Sequence, residues 1–445
     1  MNRLLFAGTG SGCGKTTVTC AFLSACKLRG LSAASFKCGP DYIDTMFHRE
    51  ITGINAHNLD PYFCGPAALR EQFVKGMGRD ISVMEGAMGY YDGIALTEEA
   101  SAYTVARETG APVVLVVNAR AIGNSAGALI EGFRVWRGDS GIEGVVFNNA
   151  NEPRTAGLAT VAARAGVRSF GFLPYDAEMS VKSRHLGLVT AGEIEGLREK
   201  LARLGEIALK TLDIDGLLAL SRSAPAIDLP AEAPVPPVAR GKKSVRIAVA
   251  RDEAFCFRYA ENMEALAESG AEIVYFSPLR DRELPQSVGG LYLCGGYPEL
   301  YADALSSNAA LRGAIQKAVQ SGMPTIAECG GFLFLQDALD GHPMVGAIRG
   351  RGFQTEKPRR FGYAELTARA DNLLCAAGET IRAHEFHYWD SDNPGDGFVA
   401  RKAGRDMTYA CGHATETLYA GFPHLYFPGS PAIARRFTRK AEAFA

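Results

Sequence analysis

The run Gly8-Thr9-Gly10-Ser11-Gly12-Cys13-Gly14-Lys15-Thr16-Thr17 has the make-up of a phosphate cradle. Glycine lets backbone N–H groups close on phosphate oxygens, a lysine carries a point charge to the β- and γ-phosphates, and the hydroxyl beside it can ligate Mg2+. Gly10, Gly12, Cys13, Gly14, Lys15, Thr16 and Thr17 are therefore the expected ATP contacts, with Thr16 also a metal ligand. One position departs from the strict Walker spacing, which asks for glycine at 9, where the chain has Thr9 between Gly8 and Gly10. The bland alternative is a glycine-rich turn without ligand. Gly-Lys-Thr-Thr between a strand and a helix argues against it.

A second chemical signature lies near the other end. Pro324-Thr325-Ile326-Ala327-Glu328-Cys329-Gly330-Gly331-Phe332-Leu333 reads as strand, sharp turn, helix. A thiol on such a turn is presented to substrate, and the helix N-terminus lowers its pKa and offers N–H donors to an oxyanion. Gly330 and Gly331 leave room for that substrate, and the backbone of Gly295 and Gly296, after another strand, could complete the oxyanion hole. A lone cysteine would be a buried hydrophobe, so a base is needed. His424, in Ala-Gly-Phe-Pro-His-Leu-Tyr-Phe (420–427), is the expected base. Class I glutamine amidotransferases carry an acid two residues after that histidine. Tyr426 stands there, so the third member is missing or comes from elsewhere. His384 and His387 in His-Glu-Phe-His-Tyr compete. Their spacing suits a metal, but on a strand the two would face opposite ways, which favours a structural or substrate-side role.

Carboxylates cluster after the early strands. Asp41 and Asp44 lie in Lys37-Cys38-Gly39-Pro40-Asp41-Tyr42-Ile43-Asp44, and Glu85 ends a later strand. The carboxyl ends of parallel strands form the ligand crevice of such folds, so Asp41, Asp44 and Glu85 could hold a Mg2+ water shell beside Thr16. A cap or turn role for either aspartate is the alternative. Asn148 could hydrogen-bond a nucleotide base or simply make a turn.

Two α/β regions must position these groups. In residues 1–222, LLFAG (4–8), SAASFK (32–37), ISVME (81–85), PVVLVV (112–117), GVVFN (144–148) and SFGFLP (169–174) are short, β-rich and separated by helical patterns. That alternation predicts a parallel sheet with crossover helices. Residues 223–244, rich in Pro and Ala, read as an extended linker. Residues 245–445 restart with VRIAVA (245–250), EIVYFSP (272–278), GLYLCGG (290–296) and PTIAEC (324–329), again α/β. The 445 residues are too many for one ordinary core, and 47% apolar with 22% charged residues is the balance of a globular protein. A net charge of −2 gives no basic field for nucleic acid or an anionic membrane, and no apolar run approaches a membrane span. The N-terminus enters a strand without a signal-peptide core, which predicts a cytoplasmic protein. Ten cysteines with no C-x-x-C pair give neither a zinc knuckle nor a thioredoxin site.

Taken together the motifs resemble one family. GTGSGCGKTT, KCGPDYID, NLDPY (58–62), EGAMGYYDG (85–93), RHLGL (184–188), CGGYPELY (294–301), AECGGFLFL (327–335), RFGYAEL (360–366) and HEFHY (384–388) occur in the order seen in the cobyrinate a,c-diamide synthases. The variant loop spacing and the missing acid are traits of that family too. The resemblance implies a dethiobiotin synthetase-like P-loop domain followed by a class I glutamine amidotransferase-like domain. It implies that Cys329, activated by His424, forms a glutamyl thioester and releases ammonia. It further implies that ATP with Mg2+ phosphorylates the a and c acetate carboxylates of a corrinoid macrocycle, and that internally delivered ammonia displaces the phosphate. Tyr42, Asp44, Arg184 and His185 are plausible corrinoid contacts by similarity. Hydrogenobyrinate and a nickel sirohydrochlorin are the rival macrocycles. A partner-regulated P-loop ATPase with an inactive appendage is the rival class, against which intact Cys329 and His424 count. The open face of the second half's sheet could pair subunits as a homodimer.

Overall fold

The computed structural model describes residues 1–176, 183–184, 187–188, 194–228 and 244–445, the two short pairs as backbone only. Two compact units divide the chain, Met1–Ala233 and Pro234–Ala445. Most of the expected linker (residues 229–243), together with His185 and the side chain of Arg184, lies outside the described residues.

In the first unit seven strands form one parallel sheet. They are β1 (Arg3–Gly8), β2 (Ala33–Cys38), β3 (His57–Leu59), β4 (Ile81–Glu85), β5 (Val113–Asn118), β6 (Ile142–Asn148) and β7 (Arg168–Leu173), in the order β3-β2-β4-β1-β5-β6-β7. β1, β2 and β4 are buried at every position, as strands covered on both faces must be, and apart from Arg3, Lys37 and Glu85 they consist of apolar and small residues. The order reverses beside β1, which places the loops after β1, β2 and β4 at the ligand crevice of a doubly wound sheet. The six strands expected from the sequence all form. The three-residue β3 was not expected. Two dipeptides, β8 (Ser183–Arg184) and β9 (Gly187–Leu188), pair antiparallel.

The second unit has two sheets. β10 (Val245–Ala250), β11 (Ala271–Phe276), β12 (Val288–Leu293) and β13 (Thr325–Glu328) are the four strands legible in the sequence, and they run parallel. The second sheet contains β14 (Ala338–Leu339), β15 (His342–Pro343), β16 (Arg351–Ala368), β17 (Thr380–Ser391), β18 (Phe398–Lys402) and β19 (Thr408–Cys411). β20 (His413–Ala414) and β21 (Leu418–Gly421) then return to the first sheet, giving β11-β10-β12-β13-β21-β20. β22 (His424–Leu425) closes the second sheet against β17, with His384 opposite His424. This largely antiparallel sheet is an addition to the expected parallel α/β pattern.

Candidate functional site

The first constellation sits at the end of β1. Helix α1 (Lys15–Leu28) begins at Gly14, whose φ of 99° is open to glycine at little cost, and it has neither a side-chain cap nor an acid in its first turn. The first-turn N–H groups and the positive end of the helix are thus left for an anion. Lys15 Nζ folds back onto the carbonyls of Gly10 (2.9 Å) and Met88 (2.5 Å), so the loop already cages the charge it would present to phosphate. Burial lowers the Lys15 pKa. Asn148 donates to the Cys13 carbonyl at 3.1 Å, and its amide lies so close that a Cβ on Gly14 would stand 1.8 Å from it. Its side chain therefore braces the loop.

Behind the loop lies a buried ionic cluster. Thr16 Oγ1 donates to Glu85 at 2.7 Å, Lys37 Nζ reaches Glu85 at 2.7 Å and Asp44 at 2.5 Å, and His48 Nε2 meets the other Glu85 oxygen at 2.8 Å. Asp44 is held well above the usual carboxylate range by burial and by the neighbouring charges of Asp41 and Glu85, more than Lys37 offsets. Burial would raise the Glu85 pKa too, but Lys37 and His48 override it and hold that carboxyl low. Lys37 itself is held up against its burial by Asp44 and Glu85. The structure thus gathers Thr16, Asp44 and Glu85 into one place. Asp41 takes the alternative role, accepting from the N–H groups of Ile43 and Asp44 at the start of α2 (Ile43–Thr52), at 2.9 and 3.0 Å. Tyr42 is buried at the same helix start. Lys37 and His48 were missed from the sequence, although a lysine closing an otherwise apolar and small strand was a usable signal. Among the described residues no three His, Cys, Asp or Glu side chains stand together as a ready metal site. The oxygen atoms of Thr16, Asp44 and Glu85, which already hold the Lys37 cation, are nevertheless the kind of set that fits a hard divalent cation such as Mg2+.

The second constellation lies at the end of β13. Cys329 is buried, with φ 48° and ψ −101°, a backbone that a non-glycine residue adopts only under strain and one typical of nucleophile turns. Its N–H donates to the Gly421 carbonyl at 2.8 Å, fixing the turn to β21. The helix Gly330–Leu335 follows directly, and a Cβ on Gly331 would meet the Leu293 carbonyl at 2.1 Å, so the glycine is dictated by packing. His424 is buried and hydrogen-bonded to Cys329. Burial alone would lower its pKa, but contact with Cys329 and Glu328 and the charge of both raise it from 6.5 to about 10. The imidazole is walled by Gly295, where a Cβ would lie 2.5 Å from its Cε1, and by the His384 ring at 5.9 Å. A Cβ on Gly296 would strike the Ala254 carbonyl at 2.0 Å, and one on Gly330 would lie 3.0 Å from Gly296 N. Gly295, Gly296 and Gly330 therefore line a side-chain-free floor beside the thiol.

His384 and His387 do not converge. His384 stacks near His424, whereas His387 stacks on Phe422 at 4.0 Å and pairs with Glu385 at 3.0 Å. Glu385 also takes Arg360 and the Tyr409 hydroxyl. His387 thus serves a buried ionic network and His384 lines the base, so the two do not share a metal.

A nucleotide loop and a cysteine–histidine pair in one chain define a glutamine-using, nucleotide-dependent class of protein. Comparison with known families agrees. A model described as the CobQ/CobB/MinD/ParA nucleotide binding domain matches residues 4–188, and one described as the CobB/CobQ-like glutamine amidotransferase domain matches residues 246–431. The cobyrinate a,c-diamide synthase of Clostridium acetobutylicum is 36% identical over 448 residues, covering 99% of this chain and 100% of that protein. That of Caldanaerobacter subterraneus subsp. tengcongensis is 36% identical, covering 99% and 98%. That of Thermoplasma volcanium is 35% identical, covering 98% and 97%. The chain belongs to the cobyrinate a,c-diamide synthase family.

Proposed function

We propose that this protein converts the a and c acetate carboxylates of cobyrinate to amides, using ATP and glutamine. The observation that carries the reading is the pairing of Cys329 with His424 on a strained turn, in the same chain as an uncapped phosphate loop. Cys329, as thiolate, attacks the glutamine carboxamide carbon. The developing oxyanion is met by backbone N–H groups around Gly295, Gly296, Gly330 and Gly331. The C–N bond breaks as His424 gives its proton to the departing nitrogen, which leaves as ammonia. Water then attacks the thioester, releasing glutamate and restoring the thiol.

In the first unit the substrate carboxylate attacks the γ-phosphorus of ATP, and ADP departs. Ammonia attacks the acyl phosphate carbon and phosphate leaves, once for each side chain. A carboxylate is a poor acyl donor, so phosphorylation supplies the leaving group. Gly10, Gly12, Cys13, Gly14, Thr16 and Thr17 offer backbone N–H groups to the phosphates, and Lys15 shifts from its carbonyl cage onto them. Thr16, Asp44 and Glu85 would hold Mg2+, which when bound supplies charge neutralisation at the β- and γ-phosphates. Asp41 supports that set through α2. Asn148 holds the loop and stands near enough to it to meet the nucleotide. Tyr42 and Asp44 are corrinoid contacts by family resemblance, as are Arg184 and His185. Residues 223–244 serve as the joint between a synthetase domain and an amidotransferase domain, the protein works in the cytoplasm, and two copies pair as a homodimer through the second unit's open sheet. No helix among the described residues is long and apolar enough to cross a membrane.

Cys329→Ser tests the reading. Glutamine-supported amidation should vanish while ammonium-supported, ATP-dependent amidation persists. Survival of glutamine-supported turnover would remove Cys329 from the mechanism.

A further inference from the structure

The position two residues after His424 is occupied by Tyr426, whose ring meets Tyr259 edge-on at 5.1 Å. A carboxylate nevertheless approaches the imidazole. Glu328, the residue just before the nucleophile, is 1% exposed, and its Oε2 lies 3.5 Å from His424 Nδ1. Its Oε1 accepts from the Leu425 N–H at 3.3 Å. The Tyr292 hydroxyl stands beside the same carboxylate, and its phenol is pushed well up by burial and then by the Glu328 charge. Asn262 fixes the facing strand, donating to the Leu425 carbonyl and accepting from the Phe427 N–H, both at 2.8 Å. Glu328 is therefore held on one side by neighbours that do not react, while Oε2 makes no hydrogen bond among the described residues.

Consecutive residues of a regular strand point to opposite faces. The left-handed backbone of Cys329, φ 48°, breaks that alternation at the one place where it matters. The carboxylate of Glu328 and the thiol of Cys329 thereby reach the same imidazole. The charges that raise the imidazole pKa are those of Cys329 and Glu328. The ring of His384 faces His424 from β17, but burial and then the positive charges of His424, Lys402 and His387 push its pKa well down, so it offers no counter-charge. Glu385, its neighbour on β17, is committed to His387, Arg360 and Tyr409.

We propose that Glu328 is the third member of the amide-hydrolysing triad, a positioning residue that holds the Nδ1–H edge of His424 and leaves Nε2 for the Cys329 thiol. The acid precedes the nucleophile in the chain instead of following the base. Its 3.5 Å separation is within the range that contracts when substrate completes the site. Because the carboxylate acts through the imidazole, its loss should reduce the rate of glutamine cleavage and leave glutamine binding nearly intact. The inference rests on glutamine hydrolysis at Cys329 and adds the residue that orients its base.

The test compares wild type, Glu328→Gln, Glu328→Asp and Cys329→Ala as full-length proteins. Glu328→Gln keeps the shape and can still accept from Leu425, but it loses the charge. It should lower kcat for glutamine hydrolysis at least about 100-fold, with KM changed less than about threefold. Amidation of the corrinoid with ammonium and ATP should persist. Alkylation of Cys329 by iodoacetamide, followed on its own peptide by mass spectrometry, should shift to higher pH as the imidazolium loses its partner. Glu328→Asp, which restores the charge on a shorter arm, should recover part of kcat. Glutamine hydrolysis by Glu328→Gln within about threefold of wild type would overturn the proposal. So would a parallel loss of ammonium-supported amidation, the mark of a purely structural residue. If Glu328→Gln fails to fold by circular dichroism, Glu328→Asp decides. A lowered kcat with ammonium use intact supports the role, and an unchanged kcat overturns it. Failure of the underlying reading looks different, since wild type would then hydrolyse glutamine no faster than Cys329→Ala.

Discussion

Replacing Gly295 by alanine isolates the placement of the base from its chemistry. The added methyl would stand 2.5 Å from His424 Cε1 and 3.4 Å from Nδ1, with Phe257 Cβ also at 3.4 Å. Carbon atoms pack at about 3.5–4.0 Å, so the imidazole must retreat by about 1 Å. It cannot retreat freely, because the His384 ring lies at 5.9 Å and the Glu328 carboxylate at 3.5 Å. A displacement of about 1 Å in a catalytic group costs on the order of 100-fold in rate. Glutamine hydrolysis by Gly295→Ala should therefore fall about 100-fold in kcat/KM, while ammonium-supported amidation continues. The one severe clash is with a side chain and none is with backbone, so the fold should survive. Gly331→Ala is the control, since its methyl meets the Leu293 backbone at 2.1 Å and should damage folding instead. The assay is glutamate release under saturating ATP and corrinoid, with thermal melting in parallel. Gly295→Ala retaining glutamine hydrolysis within about threefold of wild type, with an unchanged melt, would refute the steric reasoning.

Other expectations follow from the same geometry. Lys37→Met strips the cation from buried Glu85 and Asp44 and should cost about 3–5 kcal/mol in urea unfolding. Adding Asp44→Asn should return part of that loss, and an undiminished double-variant cost would argue against the pairing. Gly14→Ala forces a side chain into φ 99° against Asn148 and should raise the dissociation constant for ATP at least about tenfold, read by calorimetry. His424, raised from 6.5 to about 10, holds a proton that the unfolded chain releases. Its stabilising contribution is complete below pH 6.5 and is lost as pH rises through about 10. The stability gap between wild type and His424→Gln should therefore shrink across that window, and a constant gap in denaturant titrations would contradict it.

The chemistry was more legible than the architecture. Continuous apolar runs such as Val-Val-Leu-Val-Val announced the parallel strands, because burial on both faces leaves no polar alternation to confuse them. β3 has only three residues, too few for any periodicity. β16 eluded the reading for the opposite reason. Its middle, Gln-Thr-Glu-Lys-Pro-Arg-Arg, is largely exposed and polar, so eighteen residues of strand carry an apolar pattern only near one end. At the sites, Lys15, Cys329 and His424 could be found because each stands in a local pattern with a chemical reason. Lys37, His48 and Glu328 were missed, since their partners lie far along the chain, and only Lys37 left a local signal, a lysine at the end of an otherwise apolar and small strand. Glu328 adjoins the nucleophile in sequence, yet an extended strand would have sent it to the other face. The sharp turn at Cys329 was legible, but that it brings the Glu328 carboxylate and the thiol to one imidazole was not.

The most direct test of the whole account supplies the purified protein with cobyrinate, ATP and glutamine labelled with heavy nitrogen in its amide. Mass spectrometry of the corrinoid should find the a,c-diamide with the label in both new amides, dependent on ATP and abolished in Cys329→Ser. A corrinoid left unamidated, or amidated equally without ATP or with no label from glutamine, would contradict the account.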